Sequence, residues 1–102
     1  MQKILKNKIT ELKQLCTRLK IKRLYVFGSA ASDKFSESSD IDFLISFSED
    51  LSIEEYTKNY FTLQYKLREL FNREIDIIAE KTLSNPYLID SINESKKLIY
   101  EA

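Results

Sequence analysis

The chain has 102 residues, 43% of them hydrophobic, with six Tyr, six Phe and no net charge, which suits one globular domain over residues 1–102 and argues against disorder. It has no histidine and a single cysteine, Cys16, which excludes histidine-based nucleophilic catalysis, histidine metal ligands, CxxC sites and an internal disulfide framework. No run approaches the roughly 20 apolar residues of a membrane span, and the N-terminus lacks the apolar core and cleavage site of a signal peptide, so a cytoplasmic protein without a membrane partner is expected.

The charge is unevenly placed. Residues 1–23 carry eight basic side chains against one acid, Glu11, leaving eight basic and fifteen acidic residues for the rest. A basic flank beside an acidic centre can hold phosphates or nucleic acid. Scattered lysines on the solvated face of a helix account for it more simply, so a nucleic-acid partner is not favoured.

In chain order, Ile4, Leu5, Ile9, Leu12, Leu15, Cys16 and Leu19 recur at helical spacing and predict a helix over 2–20 with Cys16 on its buried face. Residues 22–27 alternate as a strand that stops at Gly28, the single glycine of the chain. Residues 29–33 have room for one helical turn, the serine-rich 34–39 reads as a loop, and 41–47 is a second strand. Ser52 and Glu55 have capping-box spacing, and Leu51 and Tyr56 fit a hydrophobic staple. The helix they start runs to about Phe71, with Tyr60, Leu63, Leu67, Leu70 and Phe71 inward. Arg73 to Ala79 is a third strand. Asn85 before Pro86 reads as an N-cap followed by proline at the first helical position, opening a helix with Leu88, Ile89 and Ile92 inward. Lys97 to Tyr100 is a last short strand or a terminal turn. Three main strands with interspersed helices make an α+β (α/β) sheet covered mainly on one side; periodicity leaves strand order and direction open.

The chemistry concentrates where the first strand ends and the second begins. Asp40 and Asp42, one residue apart, share a face of an extended strand. Like charges that close repel unless cations join them, and carboxylate oxygens suit a hard ion such as magnesium. Gly28 can adopt angles closed to other residues and lets a phosphate approach. Ser29 opens a turn whose N–H groups favour an anion. Asp76 stands among Ile75, Ile77 and Ile78, an unusual place for an acid that needs only water. If its strand neighbours that of Asp42, the three acids share a face, and Asp76 can bind metal or take a proton from an attacking hydroxyl. Solvated acids at a strand start, an edge-strand charge at Asp76 or its pairing with Arg73, and a plain tight turn at Gly28 are the simpler explanations. They are weakened by the combination more than by any single residue.

The combined pattern is Gly28-Ser29, ten residues, Asp40-Ile41-Asp42, flanked by Leu24-Tyr25-Val26-Phe27 and Phe43-Leu44-Ile45, then Glu74-Ile75-Asp76-Ile77-Ile78. It resembles the minimal nucleotidyltransferase (MNT) group of the DNA polymerase β-like nucleotidyltransferase superfamily. Asn85-Pro86-Tyr87-Leu88 and Ile99-Tyr100-Glu101 look like the usual end of these proteins, so the resemblance covers residues 10–101. It implies a small mixed sheet of three to four strands backed by helices. It implies transfer of a nucleoside monophosphate, AMP from ATP, with two magnesium ions and release of pyrophosphate. By position, Asp40, Asp42 and Asp76 would be the catalytic and metal-binding acids, and Gly28 and Ser29 would hold the nucleoside triphosphate. In MNT proteins paired with HEPN toxins, the MNT acts as antitoxin by adding AMP to a tyrosine of the toxin, which implies a HEPN-type protein partner here. One departure stands out. Many relatives read Gly-Ser-x-Ala-Arg-Gly at the turn, where this chain has Ser32-Asp33 in place of Arg-Gly. Arg23, Lys34 or a partner's residue are candidates for the missing cation. Two other functions remain open: an antitoxin that acts by binding alone, and a nucleotidyltransferase for a small molecule or an RNA end.

Overall fold

The computed structural model describes residues 2–32, 36 and 39–102. Its elements are α1 (Lys3–Lys6), α2 (Ile9–Arg18), β1 (Ile21–Phe27), a 3-10 turn over Gly28–Ala31, β2 (Ile41–Phe47), α3 (Ile53–Phe71), β3 (Ile75–Ala79), a 3-10 turn over Glu80–Thr82, α4 (Pro86–Ser95) and β4 (Lys97–Glu101). The open alternative at the end of the chain is thus a strand. The expected single helix over 2–20 is two helices. Lys8, at φ −114° and ψ 14°, leaves helical geometry, beside Asn7, a residue type whose side chain competes for backbone hydrogen bonds.

Four strands form one mixed sheet in the order β3-β2-β1-β4. β1 runs antiparallel to β2 and to β4, whereas β2 and β3 are parallel. A parallel pair needs a long crossover, and the 19 residues of α3 supply it. α3 is well bounded: Ser52 and Glu55 form the expected capping box, and the helix ends on Asn72 in the left-handed region at φ 53°, where asparagine is tolerated.

Side-chain alternation divides the sheet into two faces. Leu24, Val26, Ile41, Phe43, Ile45, Phe47 and Ile75 enter the larger core with α2 and α3. Cys16 is completely buried there, and burial pushes its thiol up to about 12. On the second face, Phe27, Leu44 and Ile92 form a smaller cluster with Tyr25, Ile78 and Leu83. α4 supplies Ile92 as its one buried residue; Leu88, expected inward, is exposed. The second face is therefore partly open, and it is the face that carries the acids. No helix among the described residues is long and apolar enough to cross a membrane.

Candidate functional site

The parity of β2 and β3 decides where the acids point. Ile41 and Phe43 are fully buried in the larger core, so Asp42 between them faces the other way. Ile75 and Ile77 pack against the same core, which turns Asp76 to the side of Asp42. The parallel register sets Asp42 directly beside Asp76, and the antiparallel register sets Asp42 opposite Phe27, at the end of β1. Asp40 is exposed, two residues ahead on the same chain. Among the described residues no three acidic side chains already converge as a closed metal cage. The tight element is the Asp42–Asp76 pair, with Asp40 at its rim.

Electrostatics single out Asp42. Its carboxyl is pushed up from 3.8 to about 6, first by burial, then by the negative charge of Asp76, a hydrogen bond with the Asp76 carboxyl, and the charge of Asp40. An acid held in this way gains from a cation that relieves both burial and repulsion. The donor set of carboxylate oxygens fits a hard divalent ion such as magnesium, with Asp42 and Asp76 as the inner pair.

Gly28 is placed against this pair. Its φ is +70°, and a Cβ built on it would lie 2.6 Å from Asp42 Oδ2. Glycine is needed here for the close approach of the Asp42 carboxylate and not only, as the sequence alone suggests, for that of a phosphate. The Gly28 N–H is also engaged, donating to Ser95 Oγ at 3.2 Å. Ser29 lies within the 3-10 turn and its carbonyl accepts from Ser32 N at 3.1 Å. The Gln2 side-chain amide donates to the Ser32 carbonyl, tying the N-terminus to the turn. Asp33 and Lys34 lie outside the described residues.

Three residues near the site have roles that the sequence does not announce. Arg73 Nη1 donates to the carbonyls of Ser36 at 2.8 Å and Ser39 at 2.9 Å, holding the chain that leads into Asp40. Ser95 reaches Gly28, and Lys96 follows it with its Nζ 4.6 Å from the centre of the Tyr25 ring. Arg23, by contrast, is ion-paired to Glu80 at 3.0 Å and pairs with Ser46, at the far end of β1 from the acids. It lines a separate cavity of about 500 Å³ with Ser46, Tyr56 and Lys81 and cannot supply the missing cation beside Asp42.

The model of the nucleotidyltransferase domain family matches residues 9–99 of the chain. The chain belongs to the nucleotidyltransferase domain family. The chain is 35% identical over 88 residues to the Methanocaldococcus jannaschii protein named "Putative protein adenylyltransferase MJ0126", covering 86% of this chain and 84% of that one. Among solved structures, "Structure of putative minimal nucleotidyltransferase" superposes with a TM-score of 0.70 at 27% identity, covering 91% of this chain and 90% of the other. The complex of tri-AMPylated Shewanella oneidensis HEPN toxin with MNT antitoxin includes a chain with a TM-score of 0.66 at 17% identity, over 95% of this chain and 72% of that one. The fold, a small mixed sheet with helices, is that of the minimal nucleotidyltransferases found in MNT–HEPN pairs, as the sequence pattern led one to expect.

Proposed function

We propose that this nucleotidyltransferase transfers AMP from ATP to a hydroxyl of a partner protein of the HEPN type, and so serves as the antitoxin of a pair. The observation that carries the reading is the register of β2 and β3, which sets Asp42 beside Asp76 on the open face, against Gly28. The relatives support protein as the acceptor: one carries the name "Putative protein adenylyltransferase", and another assembly of the same fold contains an AMPylated toxin.

In this reading Asp42 and Asp76 would hold a divalent cation, with Asp40 contributing from the rim. Magnesium, when bound, neutralises the phosphates and lowers the barrier to displacement. Gly28-Ser29 positions the triphosphate over the end of β1. The acceptor oxygen forms a bond to the α-phosphorus, the bond to the bridging oxygen breaks, and pyrophosphate departs with that electron pair. The acceptor proton passes to the carboxylate of Asp76, which is exposed on this face to an incoming hydroxyl.

The test is incubation of the chain with magnesium, a HEPN-type acceptor and ATP labelled at the α-phosphate or, separately, at the γ-phosphate. The expected result is α-label on the acceptor, γ-label released as pyrophosphate, and loss of transfer with Asp42→Asn. A stable complex that carries no α-label would replace catalysis with neutralisation by binding.

A further inference from the structure

We propose that Lys96 is a phosphate-binding residue of the nucleotide site, a cation that this chain places on the same face of the sheet as its acids. The proposal deepens the nucleotidyltransferase reading and rests on it.

The need arises from charge. Asp40, Asp42 and Asp76 are gathered at one end of the second face, and a triphosphate brings several more negative charges to the same place. Divalent ions offset part of this, and a fixed basic side chain is the usual complement. Among the described residues, two of the arginines are otherwise committed. Arg23 is held by Glu80 at the far end of β1, and Arg73 is bonded to the Ser36 and Ser39 carbonyls.

The sheet register places Lys96 at the right level. Lys97 pairs with Val26, so Lys96 enters β4 level with Phe27, and Phe27 pairs on its other side with Asp42, itself beside Asp76. Asp76, Asp42, Phe27 and Lys96 thus lie in a row across the four strands. The Lys96 and Asp42 backbones are separated by about two strand spacings, roughly 10 Å, a gap that a phosphate chain and a lysine side chain span together. The preceding residue fixes this level, because Ser95 Oγ accepts the Gly28 N–H and also donates to the Ser91 carbonyl at 3.3 Å.

The side chain lies on the correct face as well. Lys96 Nζ sits 4.6 Å from the Tyr25 ring centre, and Tyr25 packs in the cluster of the second face, the face of Asp42 and Asp76. An ammonium resting on a partly exposed ring is weakly held and is free to turn towards an incoming phosphate. A lysine at a helix C-terminus also complements the helix dipole, and the experiment has to separate that structural benefit from phosphate binding.

The measurement is calorimetric titration of the full chain with a non-hydrolysable ATP analogue and magnesium, for wild type, Lys96→Gln, Lys96→Arg and Lys97→Gln, each checked by thermal melting. Lys96→Gln should weaken binding by about tenfold, as for loss of one charge-assisted contact, and flatten its salt dependence. Lys96→Arg should restore most of the affinity, and Lys97→Gln, on the exposed edge strand, should change it less than twofold. Binding by Lys96→Gln within twofold of wild type would overturn the role of Lys96 and leave the nucleotidyltransferase reading intact. Wild type that binds no analogue at all would overturn both.

Discussion

Replacing Asp42 by Asn should make the metal-free protein more stable while removing its activity. The reasoning follows the carboxyl group. In the folded chain it titrates at about 6 instead of 3.8, because of burial, the Asp76 charge and hydrogen bond, and Asp40. At 1.36 kcal/mol per unit that difference is about 3 kcal/mol of destabilisation; the group is only half-buried, and solvent screening reduces the figure to about 1–2 kcal/mol. The sign is set by the raised value. The folded state holds the proton more tightly than the unfolded state, so the penalty is fully present above about pH 6, shrinks as the pH falls towards 3.8, and is absent below it. Asn at position 42 carries no charge and escapes it. Melting curves in a chelating buffer at pH 8 should therefore place Asp42→Asn roughly 5–10 °C above wild type, with the gap closing towards pH 4. Magnesium should raise the wild type more than the variant. A variant that melts at or below the wild type at pH 8, or a gap that widens on acidification, would refute the account of Asp42 as a strained acid.

Three further outcomes follow from the same geometry. Gly28→Ala forces a side chain into φ +70° and within 2.6 Å of Asp42 Oδ2, and should cost about 2–4 kcal/mol by denaturant unfolding; in an Asp42→Ala background part of that cost should disappear, and strict additivity would mean that the two residues do not crowd each other. Asp76→Asn removes the largest charge acting on Asp42, so the Asp42 carboxyl followed by NMR should titrate closer to its ordinary value, and a midpoint still near 6 would assign the whole shift to burial. Ser52→Ala breaks the capping box at the start of α3 and should lower stability by about 1 kcal/mol without altering nucleotide binding; a loss of binding would connect the N-terminus of α3 to the site.

Much of this architecture is written in short-range pattern. The alternation through Leu24, Tyr25, Val26 and Phe27, the capping box at Ser52 and Glu55, and Asn85-Pro86 are local devices, and each appears where its chemistry requires. The presence of Asp76 among isoleucines was legible as an anomaly, and the parallel pairing of β2 and β3 explains it, because that register puts it next to Asp42. What the sequence does not disclose depends on long-range geometry. The Gly28 N–H meets Ser95 across 67 residues, and Arg73 reaches back 34 and 37 residues to Ser39 and Ser36. No local periodicity announces such pairs. The break at Lys8 is invisible to periodicity because Leu5 and Leu12 keep helical phase across it, and both are fully buried. Arg23 was a candidate cation by its position just ahead of β1's apolar run, yet the strand carries it to the opposite end of the sheet, where Glu80 takes it.

The most direct test is a crystal structure of the chain with manganese and a non-hydrolysable ATP analogue, using the anomalous signal of the metal. The account predicts metal density between the Asp42 and Asp76 carboxylates, with two peaks about 4 Å apart at full occupancy and the triphosphate over Gly28-Ser29. Density at the cavity beside Arg23 and Glu80, with none at Asp42, would contradict it.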